Sequence, residues 1–387
     1  MAYSCEWVGR ASRHDRNIRD GDRMQANKMI LGIVGLVALC VAAAPALATT
    51  GTSQAAASQN ANTINSVVNS TSMPNLVNTL TNGIEAVNFA AILGGLQTGQ
   101  SGAGDAVRSG ARIDGGEQKL FHHGATGFSA QGSEPRFAVW GQYGYTRFDE
   151  DQQAVDSDGS THAVVLGGDY RFNRWLIGGL AFVYDRTNMD TTFNSGELEV
   201  NGYSFAPYAI VQLIQNRLFL AVSAGYSITD QDAKRTNNTI TSSADGDRFF
   251  AAANLTAVFN HMNWRLQPST GILWARSKTD SYRESNGVLA SESVNHFGRM
   301  HVGGEVGYRF ARWEPFAGAK YLHDYKFDYP TFTGVTQPTE RRSAAQFTVG
   351  TNVNISNRLT ATVKGQTEAF RKDNSTYGFS GTLRYAF

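Results

Sequence analysis

The sequence predicts an all-β fold, a twelve-stranded antiparallel transmembrane barrel over residues 136–387, and three observations predict it. Long runs alternate apolar with small or polar residues. The connections between them alternate strictly between short turns and longer polar loops. Aromatic residues gather near the ends of the runs. Among 387 residues only 17% are charged, 11% are aromatic, and Gly supplies 40 positions against 8 for Pro and 2 for Cys. A helical membrane protein is excluded, because it needs repeated spans of about 20 apolar residues and the chain has one such run, Met29 to Ala48.

Residues 1–48 read as an export signal. Lys28 is the positive flank, Leu31 to Ala44 the apolar stretch, and Ala46-Leu47-Ala48 a small-x-small cleavage site before Thr49. Met24 and Met29 offer later starts, so an over-extended gene start and a long signal peptide both fit the polar, Arg-rich residues before Lys28. A lipoprotein reading at Cys40 meets Leu39 where a small residue is wanted. Cys5 and Cys40 both fall in the discarded piece, so the mature chain is expected to hold no thiol, disulfide or thiolate metal site. Cleavage removes six of the 34 Lys/Arg and four of the 33 Asp/Glu, leaving 28 against 29 and a formal charge of −1. That balance gives no footprint for nucleic acid.

Residues 49–135 are rich in Ser, Thr, Asn, Gln, Ala and Gly and read as a leader or short passenger. Ser72, with Pro74 in the first turn, caps a predicted helix whose Leu76, Leu80, Ile84 and Val87 recur at helical spacing before Gly94-Gly95. Two readings stand, a solvent-exposed amphipathic helix and a helix lying inside a pore.

From Phe137 the runs begin. Met300 to Phe310 sets Met300, Val302, Val306 and Tyr308 against Arg299, His301, Glu305 and Arg309. Ala345 to Ile355 and Tyr377 to Phe387 repeat the pattern. Short turns are predicted at Asn173-Arg174, Gln215-Asn216, His261-Asn263, Ala311-Arg312 and Ser356-Asn357. Longer loops are predicted near Asp149–Ser160, Arg186–Gly196, Thr229–Gly246, Thr279–Ser291 and Asp328–Arg341, with a short sixth around Lys372–Asn374. Twelve strands joined this way put both chain ends on the periplasmic side, apolar residues toward lipid and polar ones toward the lumen. Pro268 and Pro315 fall just after short turns, where a ladder bond can be missed.

These residues resemble the β-domain of the bacterial autotransporters. The likeness rests on Phe137-Ala138-Val139-Trp140-Gly141, Leu166 to Phe172, Trp175 to Ala181, Gly202 to Phe205 before Tyr208, Leu266-Gln267-Pro268, Gly298 to Gly303 and Trp313 to Gly318. Phe387 at the last position and Tyr385 two before it complete it. The resemblance implies a barrel in the Gram-negative outer membrane, in contact with its lipid and served by periplasmic chaperones. It implies insertion by the outer-membrane assembly machinery, for which Tyr385 and Phe387 form the signal. It further implies an N-terminal segment held in the pore or exported to the cell surface, with a pore helix from Ser72–Gly95 or from a shorter piece at Asp114–His122. The leader departs from the family in having no repeated β-helix rungs and no protease or esterase motif.

Arg299, Glu305, Arg309, Lys320, Lys364, Glu368 and Arg384 are the candidate lumen-lining charges. They either bind a pore helix or set ion preference, or they pair with one another and brace the wall. No enzyme is expected: there is no G-x-S-x-G elbow, Walker loop or H-E-x-x-H. His122-His123 lies in the leader, His162 and His296 near the external rim, and His323-Asp324 are adjacent on one strand and so point to opposite faces. No cofactor is expected. Three functions follow: a translocator displaying its short N-terminal segment, a standalone pore or loop-mediated adhesin, and a rim-site hydrolase.

Overall fold

The computed structural model describes residues 136–151, 156–192, 195–327, 342–356, 358–371 and 374–387. The signal segment with Ala46, Ala48 and Thr49, the leader with both helix candidates, and the 328–341 loop lie outside the described residues.

Long alternating runs form long strands. In order they are β1 (Phe137–Glu150), β2 (Ser157–Asn173), β3 (Leu176–Thr191), β4 (Gly196–Ile214), β5 (Leu218–Arg235) and β6 (Ile240–Ala257). There follow β7 (Trp264–Thr279), β8 (Ser293–Tyr308), β9 (Trp313–Phe327), β10 (Ser343–Asn354), β11 (Leu359–Ala369) and β12 (Asn374–Ala386). After Val258, β6 resumes as a short piece, Phe259–His261, against the start of β7. Each strand is antiparallel to its sequence neighbours, and β1 pairs with β12 from Ala138↔Ala386 to Glu150↔Asn374, closing the sheet. The closed ladder leaves no unpaired edge, which a bilayer demands.

The five predicted turns stand within a residue or two of their expected places. Asn216 and Ala311 take left-handed φ of 55° and 47° there. Both chain ends of the barrel, Phe137 and Phe387, lie at this short-turn end, joined by a 2.9 Å bond from the Phe387 N–H to the Phe137 carbonyl.

The opposite end differs from expectation. Most of the predicted loops Arg186–Gly196 and Thr229–Gly246 is strand: β3 runs to Thr191, β4 starts at Gly196, β5 ends at Arg235 and β6 starts at Ile240. The alternation continues past the lipid band with its environments exchanged. Toward this end of the barrel Leu198, Val200, Ala233 and Ala244 turn inward and are buried, while Glu197, Glu199, Asp232 and Asp245 face out. The outer face then carries ion pairs such as Arg186–Glu199 at 2.7 Å and Lys234–Glu197 at 3.1 Å. Hydrogen bonds from Lys234 and Asn238 hold the Glu197 carboxyl below the usual carboxylate range.

The connection from β7 to β8 also has structure. Tyr282–Arg283 and Leu289–Ala290 make a small hairpin whose Tyr282 and Ala290 pack on Ala244 of β6. A buried bidentate pair, Arg235 to Glu284 at 2.8 and 2.5 Å, ties it to β5.

Candidate functional site: the barrel lumen

The outer wall is apolar in a central band. On β3, Leu180 and Phe182 are 52% and 48% exposed while the intervening Ala181 and Val183 are buried. Aromatic residues mark the short-turn border, with Trp264 against Tyr308 at 4.8 Å and Tyr385 against Phe387 at 4.9 Å between ring centroids.

The lumen has two unlike sides. From β2 to β7 the inner wall mixes small apolar residues, with Val165, Val183, Ala206, Ala221, Ala252 and Ala275 in one buried cluster, and buried polar ones such as Thr161, Ser204, Ser227, Gln231 and Asn254. The inner wall on this side is therefore mixed rather than uniformly polar. Charged residues stand among them as well: Arg248 meets Asp185 at 3.4 Å, with side chains 1% and 0% exposed. From β8 to β12 the inward positions are charged and polar, as predicted.

Arg299 on β8 holds Asp324 of β9 through two bonds, 2.6 and 3.1 Å, and Glu368 of β11 through one of 2.9 Å. Arg371 closes the ring, 2.8 Å from Asp324 and 3.7 Å from Glu368. Two cations and two carboxylates thus cancel across three strands, and each carboxylate that leaves water gains a charge-assisted partner. A register shift between Gly298 and Arg299 aims the guanidinium at this point.

A second group lies near the short-turn end. Arg384 of β12 bonds Asp169 of β2 at 2.7 Å across the intervening β1. Tyr208 of β4 donates to Asp169 at 3.4 Å and accepts from the Trp140 indole at 2.7 Å. Trp140 and Tyr208 lie over glycines on the next strands, Gly167 and Gly179, where a Cβ would come within 2.2 and 2.3 Å of their rings. Lower still, Glu314 bridges Arg265 at 2.6 Å and Arg309 at 2.8 Å.

Of the seven predicted lumen residues, Arg299, Arg309, Glu368 and Arg384 are in ion pairs with other wall residues. Glu305, Lys320 and Lys364 also fall on inward register positions, and Lys364 is buried. Sequence reasoning missed Asp169, Asp185, Arg248, Arg265, Glu314 and Arg371. The alternation that found Arg299 would have placed Asp185 and Arg248 inward, once their runs were read as strands. His323 and Asp324 do diverge: His323 meets Ser343 at 3.1 Å on the outer face, while Asp324 serves the lumen ring. His162 faces outward with Tyr143 at 2.8 Å.

The chain belongs to the family described as the autotransporter beta-domain, whose match spans residues 139–366. Among solved structures it resembles the translocator domain of the autotransporter NalP from Neisseria meningitidis, at 14% identity and a TM-score of 0.57, covering 65% of this chain and 89% of that one. The beta domain of the Bordetella autotransporter BrkA gives 16% identity and 0.55, covering 65% and 100%. The transport unit of AIDA-I from Escherichia coli gives 14% and 0.55, covering 67% and 93%. No curated protein matches the chain. The protein is thus an outer-membrane barrel of the autotransporter type, with its short turns periplasmic and its long strand extensions extracellular.

Proposed function

We propose that the barrel exports or displays its own N-terminal segment, residues 49–135, through or within its lumen. One observation carries this reading: β1 begins at the periplasmic end, at Phe137. A segment that precedes β1 can reach the cell surface only by passing up the lumen. Family membership supports the same direction of transport. In this reading periplasmic chaperones deliver the chain, the assembly machinery recognises the last strand at Tyr385 and Phe387, and no catalysis is involved. The extracellular strand extensions favour one rival, a barrel that adheres through its outer rim while the leader stays in the periplasm.

An epitope tag after Asn60 separates the two. The full chain is expressed in a Gram-negative host and intact cells are probed with antibody, with and without external protease. Export predicts a tag that is reachable on intact cells or released to the medium. A tag reachable only after the outer membrane is permeabilised, on a chain that still shows heat-modifiable mobility, would sink export and leave the adhesin.

A further inference from the structure

The two rims of the barrel differ in charge. Every outward-facing Asp or Glu among the described residues stands toward the extracellular end, from Asp149 and Asp158 to Glu197, Asp232 and Asp245. The acids of the periplasmic half, Asp169, Glu305 and Glu314, all face the lumen, where Asp169 binds Arg384 and Glu314 binds Arg265 and Arg309.

At the periplasmic rim itself an arginine recurs. Six strands run from periplasm to surface, and five of them are entered through an exposed Arg: Arg136 before β1, Arg174 before β3, Arg217 before β5, Arg312 before β9 and Arg358 before β11. Only β7 departs, with Asn263 in that place. Three of the turns are held through the backbone: the Arg217, Arg312 and Arg358 carbonyls accept from Val258, Asn354 and Ala386 at 2.8, 2.9 and 2.9 Å. Alternate strands lie about 10 Å apart, so the guanidinium groups are spaced around the rim rather than bunched. Just above them sits the aromatic border, with Phe137, Trp264, Phe310 and Trp313 all exposed to lipid. Rings at the hydrocarbon edge fix the depth of the barrel, and this fixes the arginines at the depth of the inner-leaflet headgroups.

We infer that this ring is a binding surface for the phosphates of anionic phospholipids in the periplasmic leaflet. An exposed guanidinium offers up to five donors in a fork that fits a phosphate. With no outward acid on the rim to compete, the potential there is positive and falls off within about 8–10 Å at physiological salt.

The test uses the full chain in nanodiscs of equal phosphatidylcholine and phosphatidylglycerol. Mild detergent release and native mass spectrometry then count the retained lipids. Wild type is expected to retain phosphatidylglycerol preferentially, and less so at raised salt. Arg174→Gln, Arg217→Gln, Arg312→Gln and Arg358→Gln should lower the preference by about fivefold per residue, singly first and then together. Arg174→Lys, Arg217→Lys, Arg312→Lys and Arg358→Lys should keep it. Arg147→Gln and Arg186→Gln, at the extracellular end, should leave it unchanged. Equal retention of the two lipids by wild type, or a preference that survives the fourfold Gln substitution, would overturn the proposal. So would a variant defect confined to assembly in cells, which would point to an acidic protein partner instead.

Discussion

Tyr208 is where two separate features of the lumen meet. Its hydroxyl accepts from Trp140 and donates to Asp169, and its ring covers Gly179. Tyr208→Phe keeps the ring and loses both bonds, so it should cost about 1–3 kcal/mol and lower the temperature at which the compact gel band converts to the unfolded one. Gly167→Val should cost as much or more, because the added carbons have no space beside the Trp140 indole. The same scale ranks the charged ring. Arg299→Met strands Asp324 and Glu368 with Arg371 as their shared partner, and breaking such a buried set costs about 3–5 kcal/mol. Glu368→Gln leaves the bidentate Arg299–Asp324 contact intact and should cost distinctly less; urea unfolding in detergent micelles would give the order. Arg299 and Glu368 were legible because each falls on the polar side of an alternating run. Arg371 was not, since it lies beyond the last residue of β11, and no periodicity reaches it.

Strands rather than loops build the extracellular end, and the boundary of the membrane lies partway along them. On β5 the outward face runs Leu220, Val222, Tyr226 and Ile228 and then changes to Asp230, Asp232 and Lys234. Single cysteines at Asp232 and Glu199 should therefore be labelled on intact cells by a membrane-impermeant maleimide. Cysteines at Leu220 and Val222 should stay unlabelled until the membrane is dissolved. Equal labelling of both sets would place the lipid band elsewhere. The turns were legible because a tight reversal needs particular residues, and Asn216 supplies the left-handed backbone that a turn requires. The extensions were not, because a polar outward face reads as loop when the lipid pattern alone is sought, although Leu198, Val200 and Ala233 kept the period of two. The small hairpin is tied to β5 by one buried pair, whose side chains are 8% and 2% exposed. Glu284→Ala leaves Arg235 without that carboxylate, and should open the hairpin to proteolysis near Gly287 while the barrel keeps its heat-modifiable mobility.

Closure is a property of the whole molecule, and the last strand performs it. Thirteen register pairs join β1 to β12, and Phe387 ends the seam with its bond to Phe137 and a ring contact at 5.5 Å. The even strand count and the shared end of the two termini were legible in the alternation of turns and loops. The unequal halves of the lumen were not, since small inward residues such as Ala206 and Ala275 carry no sign of which side they line. Phe387 has a packing role in the seam and a proposed role as an assembly signal, and the two predict different magnitudes. As packing, its ring adds an aromatic contact worth about 0.5–1.5 kcal/mol beyond the area it buries, at the lipid-exposed end of a long ladder. As a signal, it is read before any ladder exists. Phe387→Ala should then refold in detergent to a barrel only slightly less stable than wild type, while its yield in the outer membrane of living cells falls several-fold. If yield in cells falls no further than stability in detergent accounts for, the terminal aromatic is a seam contact alone and the proposed signal role fails.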